Sequence, residues 1–300
     1  MKTENFFRPD LPPTGDTYED FARMAEDAFP NLTVTRFAKS LLGKDIYSFG
    51  IGRGHRHLFY VGTHHALEWM TSYLLMDFVV AFARHSEEKS TTGEVDIDFL
   101  QQNFTFTIVP NLNPDGVRLA CGGIESTPLY DRQMRMSGGD FLNWQANARG
   151  VDLNHNYERG FATYKRMERE AGIAAGATRF SGEYPESEPE THAVASFLRT
   201  VMPDAILTLH SQGEEIYYAP RADARAGRIA RRLSRALAYP VAVPEGMAAY
   251  GGLADYAGDV LGIPSYTVEV GKGTNPLPLS DYVSLRRRVL PALFRFGTML

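Results

Sequence analysis

Cysteine is almost missing from this sequence: Cys121 is the single thiol in 300 residues, so an internal disulfide is impossible and a disulfide-stapled scaffold is excluded. A long apolar run is missing too. The most hydrophobic stretch, residues 70–83, is interrupted by Ser72 and Asp77 and falls short of the roughly 20 apolar residues needed to span a bilayer. It reads as a buried or half-buried helix, and no membrane partner is expected. Nor is there an excess of positive charge. Lys and Arg number 31 against 36 Asp and Glu, a formal net charge of -5 at pH 7. That is the wrong sign for a protein that gains affinity by neutralising nucleic-acid phosphates, so no nucleic-acid partner is expected. The N-terminal MKTENFFRPDLPPTG contains early prolines and no apolar stretch of signal-peptide length. Export is therefore not expected, and the expected compartment is the cytoplasm.

What is present is the composition of a folded domain, with 44% hydrophobic, 12% aromatic and 22% charged residues. No repeat, low-complexity tract or linker divides it. Residues 1–300 read as one domain, with about 1–15 as an N-terminal extension. Apolar spacing predicts helices over 18–29, 67–83, 188–201, 222–238 and 285–299, a shorter one over 252–261, and a kink at Pro291. Strands are predicted over 31–38, 45–51, 57–62, 104–109, 204–209 and 265–270. Several of these strands are apolar throughout, as in a sheet covered on both faces, which argues for an α/β layered fold. The Pro-Asn-Leu-Asn-Pro-Asp-Gly run at 110–116 reads as a turn. The stretch 120–148 has no clear period and reads as a long loop. The arginines of 221–235 read as a solvated helix face.

Three strand ends carry residues that chemistry could use. After the strand at 57–62 comes Gly62-Thr63-His64-His65-Ala66-Leu67-Glu68, where His65 and Glu68, three apart at a helix start, could share a divalent ion. Read alone, such a pair is more often a cap or a surface pair than a metal site, and His64 is a neighbour that orients the loop. The strand at 204–209 ends in His210. Alone it reads as a hydrogen-bonded structural histidine, but with His65 and Glu68 it completes the two-histidine, one-carboxylate set of catalytic zinc. The strand at 265–270 carries Glu269, a carboxylate in apolar surroundings that is costly to bury unless it is paired, metal-bound or poised as a base. The alternative is a Glu facing solvent from a half-exposed strand. The segment Gly150-Val151-Asp152-Leu153-Asn154-His155-Asn156 is dense in hydrogen-bonding side chains and could be a turn.

In this order, His65-x-x-Glu68, Asn113-Pro114-Asp115-Gly116, Gly150-Val151-Asp152-x-Asn154-x-Asn156, His210 and Glu269 resemble the zinc metallocarboxypeptidase family from about residue 43 to the C-terminal helix. The resemblance implies a three-layer fold, a mixed, mostly parallel eight-stranded twisted sheet sandwiched by helices. It implies one Zn2+ per chain held by His65, Glu68 and His210, with Glu269 as the general base of amide hydrolysis.

The departures bear on the substrate. Asn154 stands in its family place, but His155 stands where the family has an arginine that grips the substrate's C-terminal carboxylate. Met247 falls where the family's mobile tyrosine belongs, with Tyr250 three residues away. Trp144-Gln145 occupies the place of an oxyanion-binding arginine, leaving Gln145 and Arg149 as candidates. Ala254, at the specificity-pocket position, is small and uncharged. The missing clamp, together with Ser187-Glu188-Pro189-Glu190-Thr191 and the 267–278 segment, resembles the bacterial γ-D-glutamyl-L-diamino acid peptidase branch. The expected substrate is therefore a small peptide or muropeptide, cut at γ-D-glutamyl-meso-diaminopimelate bonds. The alternatives are a carboxypeptidase of relaxed specificity acting on α-linked peptide C-termini, and a non-catalytic peptide-binding relative.

Overall fold

The apolar runs that read as buried strands form the middle of one sheet. The structure, a computed structural model, describes residues 9–14, 16–88, 90–92, 95–122, 127–219 and 224–300. Most of the expected N-terminal extension, and Arg221 to Asp223 of the arginine-rich segment, lie outside the described residues. The strands are β1 Thr33–Lys39, β2 Asp45–Gly52, β3 Arg56–Gly62, β4 Phe104–Val109, β5 Ala205–His210, β6 Glu215–Tyr218 and β7 Ser265–Glu269. Across the sheet their order is β1-β2-β4-β3-β5-β7-β6. The central β4-β3-β5-β7 pairings are parallel, and the outer ones are antiparallel.

The sheet is mixed, as the resemblance implies, and its parallel pairings are confined to these four strands. Seven strands make the ladder among the described residues. At the eighth position Val241 makes a single bridge to Ile216. Pro240 and Pro244 bracket it, and prolines have no N–H with which to extend a ladder.

Alternation along β3 sends its side chains to two cores. Leu58 and Tyr60 join a large cluster with residues of α1 Thr17–Ala28, α2 Met70–Glu88, α3 Ile97–Asn103 and the C-terminal helix Tyr282–Met299. Phe59 and Val61 face the other way, onto Val194, Leu198, Tyr157 and Tyr256. Every position of β5 is buried, as expected for a parallel strand covered on both faces.

Two local readings change. The Asn-Pro-Asp-Gly turn is the start of a helix, α4 Pro114–Gly122, with proline at its first position. Asn113 Oδ1 accepts the Gly116 N–H at 3.0 Å, while its amide donates to the His64 carbonyl at 3.0 Å and the Ala146 carbonyl at 3.2 Å. Gly116 is required there, because a Cβ would lie 2.3 Å from the Ala146 carbonyl oxygen. The stretch read as a long loop contains α5 Tyr130–Ser137, whose one buried residue is Gln133; without an apolar stripe its period is invisible in the sequence. Next come α6 Phe161–Glu170, which the sequence reading does not contain, α7 Pro189–Val201 and α8 Ala226–Leu237. The C-terminal helix is α9 and contains Pro291.

Candidate metal centre and active site

Strands β3, β5 and β7 are adjacent and parallel, so their C-terminal ends open on one edge of the sheet, where α/β folds place ligands. Gly62 pairs with Leu209 and His210 pairs with Glu269. This register alone brings two of the expected residues side by side. After β3 the chain turns sharply at Thr63, whose φ of 56° is rare for a β-branched residue. Thr71 on α2 pins it: the Thr63 N–H donates to Thr71 Oγ1 at 3.0 Å, and Thr71 donates to the Glu68 carbonyl at 2.7 Å. Gly62 lets the turn approach the Pro110 carbonyl, from which a Cβ would lie 2.9 Å.

The turn delivers His65 and the 3-10 segment Ala66–Glu68 to the edge. His65 Nδ1 lies 2.7 Å from Glu68 Oε1, and His210 Nδ1 lies 2.8 Å from Glu68 Oε2. The ligand atoms of the three residues lie within 4.8 Å of one another, and their side chains are 14%, 5% and 2% exposed in the order His65, Glu68, His210. His65 Nε2 donates to Asp152 Oδ1 at 3.0 Å, which orients the ring with Nδ1 inward. Two imidazoles and a carboxylate, with a second carboxylate behind one imidazole, are the donor chemistry of a zinc site, so these residues fit the ion.

These side chains are also linked to one another by charge. Burial pushes Glu68 up, but the His65 and His210 rings outweigh it and hold the carboxyl at about 2. Burial lowers His65, yet the Glu68 and Asp152 carboxylates hold it well above its usual range. His64 differs. Burial pushes it well down, with His210 and His65 adding to the effect. It is a neutral ring stacked on His210 at 5.3 Å and 3.0 Å from the Tyr157 hydroxyl.

Glu269 ends β7 beside His210. Burial raises its carboxyl to about 7; His210 and His65 oppose this, while Glu68 and Glu215, its partner across the β6–β7 pair, add to it. A carboxyl poised near neutral pH suits a general base.

The remaining expected residues lie on loops and short helical turns around this edge, with Asn154 and His155 in the 3-10 turn Leu153–His155. Asn154 donates its N–H to Asp152 Oδ1 at 3.2 Å and accepts the Leu253 N–H at 3.2 Å, joining the ligand shell to the short helix Leu253–Asp255 that carries Ala254. His155 stacks on Tyr164 at 4.2 Å and donates from Nδ1 to the Tyr250 carbonyl at 2.9 Å. Tyr250 thus meets His155 through its backbone, and its ring packs against Gly160. Gln145 accepts the Ala66 N–H at its carbonyl, 2.8 Å away. Arg149 is turned to Glu188, 3.5 Å away. The structure therefore gathers His65, Glu68, His210 and Glu269, sets Asn154 and Gln145 beside them, and engages Arg149 elsewhere. Asp152 is the functional residue that sequence reasoning passes over. Its signal was an aspartate inside an otherwise neutral motif, and its role depends on a contact 87 positions away in sequence.

Fold and site together define a zinc metallopeptidase. The chain belongs to the zinc carboxypeptidase family, which it matches over residues 18–284. It is 28% identical over 298 residues to gamma-D-glutamyl-L-diamino acid endopeptidase 1 of Lysinibacillus sphaericus, covering 95% of this chain and 74% of that protein. It is 31% identical over 160 residues to human carboxypeptidase O, covering 51% of this chain and 36% of the other. The fold is also that of thrombin activatable fibrinolysis inhibitor, with a TM-score of 0.75 at 19% identity, over 97% of this chain and 74% of that one.

Proposed function

We propose that this protein is a metallocarboxypeptidase that removes C-terminal residues from α-linked peptides with relaxed specificity. The observation that carries this reading is the register of His210 and Glu269 beside the His65–Glu68 pair. His65, Glu68 and His210 would hold one zinc ion, which when bound supplies Lewis acidity for the scissile carbonyl and a more acidic water. Glu269 takes the proton of the attacking water and returns it to the leaving amine. Asp152 keeps His65 oriented throughout. Ala254 supplies no charge to the specificity position, which fits a broad rather than a charge-selective pocket.

A second reading, hydrolysis of γ-D-glutamyl-meso-diaminopimelate bonds in muropeptides, draws on the 28% identity to the Lysinibacillus sphaericus peptidase and on His155 and Gln145 where the family has arginines. One assay separates the two. Zinc-supplemented protein is given blocked dipeptides ending in Phe or Arg, and L-Ala-γ-D-Glu-meso-diaminopimelate, with products read by mass spectrometry. Faster release of Phe or Arg is the expected result. Cleavage of the γ-linked tripeptide alone would replace the first reading with the second, and cleavage of neither would reject both.

A further inference from the structure

His155 and Gln145 carry no guanidinium, and one short segment of the chain is joined to both, directly to Gln145 and through Tyr164 to His155. The Ala177 carbonyl accepts the N–H groups of Gln145 and Ala146 at 2.8 and 3.0 Å, and Thr178 donates its hydroxyl to Gln145 Oε1 at 2.9 Å. The next residue, Arg179, donates its N–H to Asp152 Oδ2 at 3.1 Å, on the carboxylate that holds His65. Its carbonyl accepts the Tyr164 hydroxyl at 2.9 Å, and the Tyr164 ring is the one stacked on His155. Arg179 thus stands between the two positions, linked to one through Thr178 and to the other through Tyr164.

Two features of this arginine bear on its role. Arg149, Arg159 and Arg199 are each paired, with Glu188, Asp259 and Glu186. Arg179 is exposed and has no carboxylate partner among the described residues. It also holds a φ of 67°, a left-handed conformation that costs a non-glycine residue on the order of 1 kcal/mol and that arginine has no intrinsic reason to adopt. Its backbone is held at the rim from both sides, by Asp152 through the N–H and by Tyr164 through the carbonyl, and its charge opposes the burial, Asp152 and Glu168 effects that push the Tyr164 phenol up.

We propose that Arg179 recognises the carboxylate of the bound peptide, supplying from a neighbouring loop the guanidinium that position 155 lacks. A planar, forked, permanently charged head is suited to that task. This proposal rests on the peptidase reading above, and its test separates the two by measuring binding without turnover. In zinc-supplemented Glu269→Gln protein, calorimetry compares a blocked dipeptide acid with its C-terminal amide, with and without Arg179→Asn. Asparagine is chosen because it tolerates a left-handed φ.

The expected result is that Arg179→Asn weakens the acid about thirtyfold, leaves the amide unchanged, and leaves zinc content unchanged. Arg179→Lys should recover part of the loss. Equal weakening of acid and amide, no weakening of the acid, or no preference for the acid before Arg179 is changed would each overturn the proposal. Absence of hydrolysis by the parent protein would instead reject the peptidase reading, because the acid-to-amide ratio is measured independently of turnover.

Discussion

His210 and Glu269 sit opposite each other on two parallel strands, whereas Gln145 and Arg179 sit on loops and His155 ends a 3-10 turn, joined by single hydrogen bonds and a ring stack. The first region is fixed by backbone ladders on both sides and by a core that tolerates little movement. The second is held by side chains that could be exchanged without disturbing any strand. Reaction chemistry needs the fixed region, because a ligand or base displaced by an ångström loses its function. Recognition can be rebuilt on the loops. That explains how a chain can keep the metal set of the strand edge while the carboxylate contact proposed for Arg179 is carried by another loop.

The largest effect is expected of Glu269→Gln. If the strand edge carries the chemistry, turnover falls about a thousandfold while zinc content, measured on the purified protein, stays the same. Retained turnover would move the base elsewhere. Absence of turnover in both parent and variant would favour a peptide-binding role.

A second test concerns what anchors the rim loops. Glu190 is fully buried, accepts the Leu41 N–H at 3.0 Å and stands near Glu188, which binds Asn147 at 2.7 Å. Asn147 in turn accepts the N–H groups of Arg149 and Val151. Burial lifts the Glu190 carboxyl from 4.5 to about 7. The folded chain therefore binds the extra proton between these values, and the stability it confers is complete below 4.5 and lost as pH rises through 7. The shift corresponds to roughly 3 kcal/mol. Urea unfolding at pH 5 and pH 8 should show this slope in the parent and a flatter one in Glu190→Gln. An unchanged slope in the variant would remove Glu190 as its source.

The same division decides what could be read from the sequence. Strands β3, β5 and β7 are legible because each is a short run, apolar in β3 and β5 and weakly polar in β7, that ends in or near a residue that chemistry needs. Strand β6 is not, since it has four residues of which only Ile216 is fully buried, and α5 buries only a glutamine. Arg179 was illegible for a different reason: its partners Tyr164 and Asp152 lie 15 and 27 positions away, and an exposed arginine has no local signature.

Asp152 tests the boundary between the two regions, because it serves the metal ligand His65 with one oxygen and the Arg179 backbone with the other. Asp152→Asn should weaken zinc binding about ten- to a hundredfold in competition with a chelator. An unchanged zinc affinity would assign Asp152 to the rim alone.

The smallest expected effect belongs to Ala254, whose role rests on motif spacing and on a half-buried place in the short helix Leu253–Asp255. A carboxylate introduced there, Ala254→Asp, would be half-buried, and its attraction for a cationic substrate side chain would be worth about 1.4 kcal/mol, or about tenfold. The adjacent Asp255 limits the gain. Burial and the nearby Asp259 already lift its carboxyl to about 6, and a further negative charge would push it higher, so the new preference should strengthen above that pH, where both carboxyls are ionised. The readout is the ratio of kcat/KM for blocked dipeptides ending in Arg and in Phe, measured on either side of pH 6. A ratio that rises only for Arg places residue 254 against the substrate side chain, and with it the rest of the rim inferred from spacing. A ratio that does not move would mean that the pocket, like the carboxylate contact, has been rebuilt on other residues.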